Sequence, residues 1–471
     1  MKVRIQLLVA LTCGFSISVR AESATWSADP LSDDWYMAEN WIPMTVPNGP
    51  HDIATIGHST VSSVVLPGQS ITELDSLILE DDAHITLPDS ASLVFEGEGT
   101  MSASDNVGIN SQPGSSLAFR NSSTSAIGFD NYGQLAFQDN SISSGFLNHG
   151  QATFEGNSVA EGEITCYGSS STDEEGAALS FLDQSATGDI DIIVNPGIFG
   201  GNPSTVYFDD DSTPGRVTLI LVGEGTLDIS GHSPPGLAIE ELGYAGGVVY
   251  LGGNNLSVTR GYLDGVFSGV IHDGGLFGGT GGSLAKVGGK TDALTLTQAN
   301  DYSGGTFVEG GILLLQNRTG SATGSGPLQI DAGLLKGAGM ITGPVVVNNQ
   351  GAIAPKVARS DSAALVITLN LSFGAHAQYR VAIDSQNPGM SMIRAGGVTI
   401  DPRAYIKFSD SQAGHLNAGM SFTIINNTAN NLIAGNFGGL PDGGRVIVGN
   451  NTYSVNYEGG DGNDLTLTVV Q

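Results

Sequence analysis

The sequence predicts an all-β solenoid, a coil of short parallel strands in which each turn stacks on the one before it. Between Leu294 and Pro355, short apolar runs alternate with glycine-rich turns, and no helical period appears. A phenylalanine-centred motif also recurs earlier in the chain, and no segment has a convincing amphipathic helical pattern. Together these features favour a strand solenoid over any helix-containing fold.

The phenylalanine motif recurs at intervals that suit one coil of three strands. Similar short strands end at four phenylalanines separated by 18, 17 and 27 residues, namely Phe119, Phe137, Phe154 and Phe181. Because side chains of a strand alternate between its two faces, this register places the four rings inside the coil, about 4.8 Å apart. The longest interval contains Gly168–Gly176, which we predict to be a surface loop.

Two tripeptides before these strands predict corners of the coil. Asn-Tyr-Gly occupies residues 131–133 and Asn-His-Gly occupies residues 148–150. Asparagine and glycine tolerate the left-handed backbone conformation that a sharp corner demands. We therefore expect these residues to turn the chain from one strand to the next.

The first 21 residues have the pattern of a signal peptide. Lys2 and Arg4 precede the apolar stretch Ile5–Ile17, and small residues before Glu22 suit cleavage. We expect Cys13 to be removed with this segment and the mature protein to be extracellular or at the cell surface. No later stretch approaches the length of a membrane helix.

The remaining chain divides into three predicted parts. Residues 22–58 hold all three tryptophans, residues 59–355 form the solenoid, and residues 356–471 continue it and close its far edge with hairpins. We interpret the aromatic segment as a cap, because the first coil would otherwise expose an unpaired sheet edge. The alternative is a platform on which Trp26, Trp35 and Trp41 stack against sugar rings.

The charge balance excludes some partners. The chain has a formal net charge of -30, and loss of Lys2, Arg4 and Arg20 with the signal would remove three positive charges. Such acidity argues against nucleic acid and against anionic lipid. It favours solubility, with scattered calcium binding as the alternative. Cys166 alone would remain of the cysteines, so we expect no internal disulfide and a buried thiol.

Few residues suggest catalysis. Asp209–Asp211 is the one aspartate cluster that a hydrolase could use, and we interpret it as a solvated strand end, since inverting hydrolysis needs two spaced carboxyls. The lysines and arginines that follow the predicted signal peptide are dispersed along the sequence. The histidines occur singly and form no metal-binding pair: His51, His58, His149, His232, His272, His376 and His415. Near the C-terminus, Gly459–Leu467 resembles half of a calcium-binding repeat, but a hairpin turn explains the same residues.

From Gly246 to Pro355 the chain resembles the autotransporter-associated β-strand repeat family. The matching segments include LTLTQANDYSGGTFVEGGILLLQN and LLKGAGMITGPVVVNNQGAIAP. The resemblance implies a right-handed parallel β-helix of pectin-lyase-like type, exported and without catalytic residues. One departure is that autotransporters end in a membrane barrel, whereas this sequence stops at Gln471 directly after a strand of soluble type, so we expect no self-translocation.

We therefore predict a structural or adhesin-like protein with no catalytic, cofactor-binding or metal-binding residues and no cofactor. It would present an acidic repetitive surface, with Gly168–Gly176 and Ser230–Gly236 as contact loops. The expected partners are extracellular polysaccharide or cell-surface components. One alternative is a polysaccharide lyase or hydrolase that uses Asp209–Asp211, and another is a sugar-binding module built on the tryptophans.

Overall fold

The computed structural model describes residues 22–102, 104, 106–243, 245–260, 265–358, 364–410, 412 and 414–470. The predicted signal peptide, with Cys13, lies outside these ranges. The described chain is all-β, and its one helical segment is the 3-10 turn Ala38–Asn40. None of the described helical structure is long and apolar enough to cross a membrane. The predicted parallel β-solenoid is confirmed, with three stacks of strands that we name sheets 1, 2 and 3.

Sheet 1 carries the phenylalanine motif. Its strands pair in parallel, and near Asn300 and Ala322 the backbone crosses this side as irregular segments that still hydrogen-bond to neighbouring coils. The strands are Ile71–Leu79 and Ser92–Ser102 (first halves), Ser116–Phe119, Gln134–Phe137, Gln151–Phe154, Ala178–Phe181, Thr205–Phe208, Gly223–Asp228, Gly246–Tyr250, Val270–His272, Met340–Ile341, Leu365–Ile367, Ile393–Ala395 and Ser421–Asn427.

Sheet 2 follows sheet 1 around each coil. It contains Ser23–Trp26, Ile53–Ile56, the second halves of Ile71–Leu79 and Ser92–Ser102, Thr124–Ser125, the first residues of Ile142–Asn148, Val159–Cys166 and Ala186–Val194, then Gly236–Ile239, Asn255–Val258, Ser283–Lys286, Gly305–Val308, Leu328–Ile330, Val345–Val347, Leu371–Phe373 and Val398–Ile400. Trp41–Ile42 pairs antiparallel with its first strand.

Sheet 3 completes the coil. It contains Val64–Val65, His84–Leu87, Gly108–Ser111, Phe129–Asn131, the remainders of Ile142–Asn148, Val159–Cys166 and Ala186–Val194, then Arg216–Leu221, Glu241–Gly243, Val266–Phe267, Ala293–Leu296, Ile312–Leu315, Leu334–Gly337, Ala352–Pro355, Gln378–Asp384 and Tyr405–Asp410. Val357–Ala358 and Gly389–Ser391 pair antiparallel beside it and form a small flap.

The predicted phenylalanine ladder is confirmed and is longer than the motif indicated. Phe95 precedes the four predicted rings and Phe208 follows them, and neighbouring centroids along the six rings are 4.7 to 5.0 Å apart. All six side chains are fully buried in the single large core that runs from Ala24 to Val469. Stacked aromatic rings of this size supply much of the buried apolar area of a coil.

The asparagine-containing tripeptides do not adopt the predicted left-handed conformation. Asn131 and Asn148 lie in sheet 3 with buried side chains, and the Asn131 Nδ2 donates to Asn148 Oδ1 over 2.9 Å. An amide can both donate and accept, so stacked asparagines satisfy one another inside a coil. The residues with positive φ occupy the next corner instead, after each phenylalanine: Asn121, Asp139, Gly156, Asp183 and Asp210.

Both ends of the solenoid are covered. Trp26, Trp35 and Trp41 are buried and pack edge to face, with centroids 5.0 and 4.8 Å apart. The sugar-stacking platform is wrong because the three rings are buried, whereas the assignment of residues 22–58 as a cap stays a prediction with which this packing agrees. At the far end, Asp464–Val469 pairs antiparallel with Ser421–Asn427 on one side and with Asn451–Gly459 on the other. Asn451–Gly459 also pairs antiparallel with Arg445–Val448. These pairings are the closing hairpins that the sequence predicts.

Candidate functional site

The aspartate cluster lies at a corner of the coil. Asp210 has a left-handed backbone, and its Oδ2 accepts a 3.3 Å hydrogen bond from the Asp183 amide of the previous coil. Asp183 in turn accepts from the Gly156 amide. Asp183, Asp210 and Asp211 line a shallow hollow of about 450 Å³, whose described lining includes no lysine, arginine or histidine. These carboxylates brace successive corners.

Asp209 does not fit the predicted solvated strand end. It is only 9% exposed, and its Oδ1 has no hydrogen-bond partner within the described structure. Burial, together with the carboxylates of Asp228 and Asp210, raises the pKa of Asp209 to about 6. The nearby His232 ring bonds to the carbonyls of Ser212 and Ser233, so it fixes the loop. The interpretation as a solvated end holds for Asp210 and Asp211, which are exposed, and is wrong for Asp209.

The remaining candidate nucleophiles and ligands lie apart. Cys166 is buried, as predicted, and burial raises the pKa of its thiol to about 12. His149 is stacked between Tyr132 and Tyr167, with centroids 4.2 and 4.3 Å apart. Near Gly459, a hairpin turn pairs this residue with Asp464, in agreement with the preferred interpretation of that motif. In the described ranges, no three His, Cys, Asp or Glu side chains are placed to hold a metal ion.

The predicted contact loops are braced by their neighbours. In the Gly168–Gly176 loop, Ser169 Oγ accepts a 2.8 Å hydrogen bond from the amide of Asn202, which lies one coil further on. That next loop displays Phe199, which is 96% exposed. In the Ser230–Gly236 loop, the Ser230 amide donates to Asp228 over 2.8 Å. Their role in contacting a partner stays a prediction.

An open groove of about 1180 Å³ runs along the C-terminal coils. It follows the corner between sheet 3 and sheet 1, from Leu314 on one coil to Ser409 four rungs further on. At about 4.8 Å per rung, this distance is ~19 Å along the axis. The Val357–Ala358 and Gly389–Ser391 flap stands at its side. The groove is therefore long, open and parallel to the coil axis.

Small residues form the floor of this groove. Gly337, Ala338, Gly339, Ala354 and Ala364 line it and leave room above the backbone. Gly337 also has a φ of 111°, and a Cβ at this position would lie 2.0 Å from the Leu315 carbonyl oxygen. The shape of the floor therefore depends on glycine at this position.

The charged side chains that line the groove are basic, although the protein is strongly acidic overall. Five cationic side chains line it, all of them solvent-exposed: Arg318, Lys336, Lys356, Arg380 and Arg394. Among the residues that the structure describes, no aspartate or glutamate lines it. Such a surface attracts anions, because like charges converge without a neutralising partner.

The five groove cations have no carboxylate partner among the described residues. The ion pairs of arginine within the described residues are Arg120–Glu96, Arg216–Asp189, Arg216–Glu240, Arg260–Glu240 and Arg403–Asp401. In the groove, Arg380 Nε donates to the neutral Gln378 side chain. The groove is thus charged and unneutralised by described residues.

Sequence reasoning missed this groove because it described the lysines and arginines as dispersed. They are dispersed along the chain, but stacking brings residues some 20 apart onto neighbouring rungs. A regional count of charge would have been a signal: residues 311–471 contain nine Lys and Arg and nine Asp and Glu, in a chain with 17 and 47 in all.

Comparison with known proteins adds no assignment: no protein-family model matches this chain, and no curated protein does. The resemblance of residues 246–355 to the autotransporter-associated repeat therefore stays a prediction.

Proposed function

We propose that this protein is exported and acts without catalysis, as a structural or adhesin-like solenoid that contacts cells or extracellular matrix. The observation that carries this proposal is the groove, whose described lining combines five cations with no carboxylate. General acid–base catalysis by paired carboxylates needs two such groups around the substrate. An open, unneutralised cationic surface is suited to holding a ligand.

The rigidity of the scaffold supports the same proposal. Each coil hydrogen-bonds to the next through parallel strands, and one core continues from the first to the last coil. A solenoid of this kind holds its surface residues at fixed repeat distances and provides an extended binding surface. Adhesive contact benefits from such a surface, because many weak contacts act together.

A paired assay of adhesion and turnover tests the proposal. Labelled protein is incubated with whole cells and with extracellular matrix, and release of reducing ends and of unsaturated sugars is followed in the same samples. We expect saturable retention without product formation. Retention at the level of a labelled bovine albumin control, or sustained product formation from any polysaccharide, would show that the proposal is wrong.

Export is tested separately by expressing the full chain in a bacterial host and fractionating the culture. We expect the protein outside the cytoplasm, with Glu22 as the first residue found by N-terminal sequencing. Accumulation of uncleaved protein in the cytoplasm would contradict the assignment of residues 1–21 as a signal peptide.

A further inference from the structure

The cations of the groove are arranged as a row along the coil axis. On sheet 3, Lys336 pairs with Leu314 on one side and with Ala354 on the other. Ile353 pairs with Tyr379, so Arg380 follows on the next rung beside Ala354, and Arg380 itself pairs with Lys407. With about 4.8 Å per rung, Lys336 and Arg380 are ~10 Å apart along the axis.

The second wall supplies further cations. Arg318 and Lys356 lie where the chain leaves sheet 3, and Arg394 lies on sheet 1, where it pairs with Val366. A ligand in the groove would therefore meet positive charge on both sides and along about four rungs. This pattern suits an extended molecule with regularly spaced negative charges. A single small anion would contact only one or two of these cations.

The floor indicates the chemical class of that molecule. The described lining contains no Phe, Tyr or Trp, so neither neutral sugar rings nor nucleic acid bases would find an aromatic surface on which to stack. The small apolar floor leaves room for pyranose rings, and the step between rungs is comparable to the length of one sugar unit. Arginine and lysine above it would pair with carboxylate groups.

We propose that this groove binds a linear polysaccharide that carries carboxylate groups, lying along the coil axis. The inference rests on the proposed non-catalytic binding function and names the ligand of that function. The acidic coils elsewhere do not cancel the attraction, because at physiological salt the Debye length is about 8 Å. Binding should weaken as salt rises, since it depends on exposed charges.

The test uses polygalacturonate as the probe, with neutral dextran, dextran sulfate and single-stranded DNA as comparison polymers. Binding is measured by biolayer interferometry at two salt concentrations, with a chelator present to exclude calcium bridges. The groove variant is Lys336→Glu with Arg380→Glu. The control variant is Lys290→Glu with Arg445→Glu, which reverses two exposed cations outside the groove and changes the net charge equally.

We expect the native protein to retain polygalacturonate and not dextran, with at least tenfold weaker binding in the groove variant and a change under twofold in the control. Circular dichroism and thermal melting establish that both variants fold. Equal loss of polygalacturonate binding in both variants, or no loss of binding in the groove variant, would show that the groove is not the binding site. Preferential binding of dextran sulfate or DNA would overturn the carboxylate-polysaccharide assignment.

The outcomes separate this inference from the proposed function. If cells retain the native protein and the groove variant equally, the groove assignment fails while the adhesive function stands. If unsaturated products form from polygalacturonate and the groove variant abolishes both binding and turnover, the binding site stands while the non-catalytic function fails.

Discussion

Residues 22–310 and residues 311–471 belong to one continuous solenoid but differ in charge: the first region is strongly acidic and the second is balanced. The first region contains 38 Asp and Glu against five Lys and Arg, whereas the second contains nine of each. The interior is continuous across the boundary, since one core cluster spans both regions. A coil needs only its neighbours for stability, so its outward residues can change without altering the fold.

The two regions also use their polar residues differently. In the first, Arg120 bridges Glu96 of one coil and Gln138 of another, with distances of 3.0 Å to each. In the second, Lys336 and Arg380 project into an open groove without an ion pair in the described structure. Arg120 thus connects coils in the acidic region, whereas Lys336 and Arg380 stay available for a ligand in the groove.

The largest effect is expected from breaking the interior of the acidic region. Phe137→Ala removes a fully buried ring from the middle of the ladder and should lower the free energy of unfolding by about 3–5 kcal/mol. Chemical denaturation measures the change. The matched control, Phe199→Ala, removes a ring that is 96% exposed and should change stability by less than ~0.5 kcal/mol. Equal effects of the two variants would contradict the stacking argument.

The next effect concerns the floor of the groove. Gly337→Ala should cost about 2 kcal/mol or more, because an added Cβ meets the Leu315 carbonyl at a backbone conformation that alanine disfavours. Gly419→Ala is the control, since Gly419 has a φ of 90° but no atom within 4 Å of its Cβ position. Comparing the thermal melting of the two variants separates the cost of the close contact from the cost of the backbone conformation. A smaller loss of stability at Gly337 than at Gly419 would contradict this expectation and show that the backbone near Gly337 moves to accommodate the added methyl group.

A smaller effect tests the electrostatics of the acidic region. The pKa of Asp209 is raised to about 6, so the stabilising protonated form is present at pH 4 and lost as the pH rises through 6. Asp209→Asn should therefore stabilise the protein at pH 8, by about 1–3 kcal/mol, and have little effect at pH 4. Asp211→Asn, which removes an exposed carboxylate from the same cluster, is the matched control. A pH-independent effect of Asp209→Asn would contradict the interpretation.

The smallest effects on stability are expected from replacing one exposed arginine in each of the two regions. Arg380→Gln should change the free energy of unfolding by less than ~0.5 kcal/mol, since this side chain is exposed and has no ion pair in the described structure. Arg120→Gln should cost slightly more, up to about 1 kcal/mol, because it breaks the contact with Glu96. Denaturation at low and high salt separates the two, and a larger cost at Arg380 would mean that this cation supports the fold.

Much of the fold was predictable because it depends on local periodicity. The spacing of Phe119, Phe137 and Phe154 indicated both the coil length and the inward direction of the rings, since strand side chains alternate. Phe95 and Phe208 were missed because their flanking residues depart from the motif. The chain does turn after Asn131, as predicted, but the left-handed conformation was wrong, because asparagine suits both a left-handed turn and an internal amide stack.

The sequence by itself determined the strand solenoid, the phenylalanine ladder and the regional imbalance of charge, because each follows from residue type and spacing along the chain. Only the tertiary structure decided that Lys336, Arg380 and Arg394 share one groove and that Asp209 is buried beside Asp228. The physical reason is the stacking of coils. It places residues of neighbouring coils about 4.8 Å apart along the axis, and the register and loop lengths that align them vary from coil to coil.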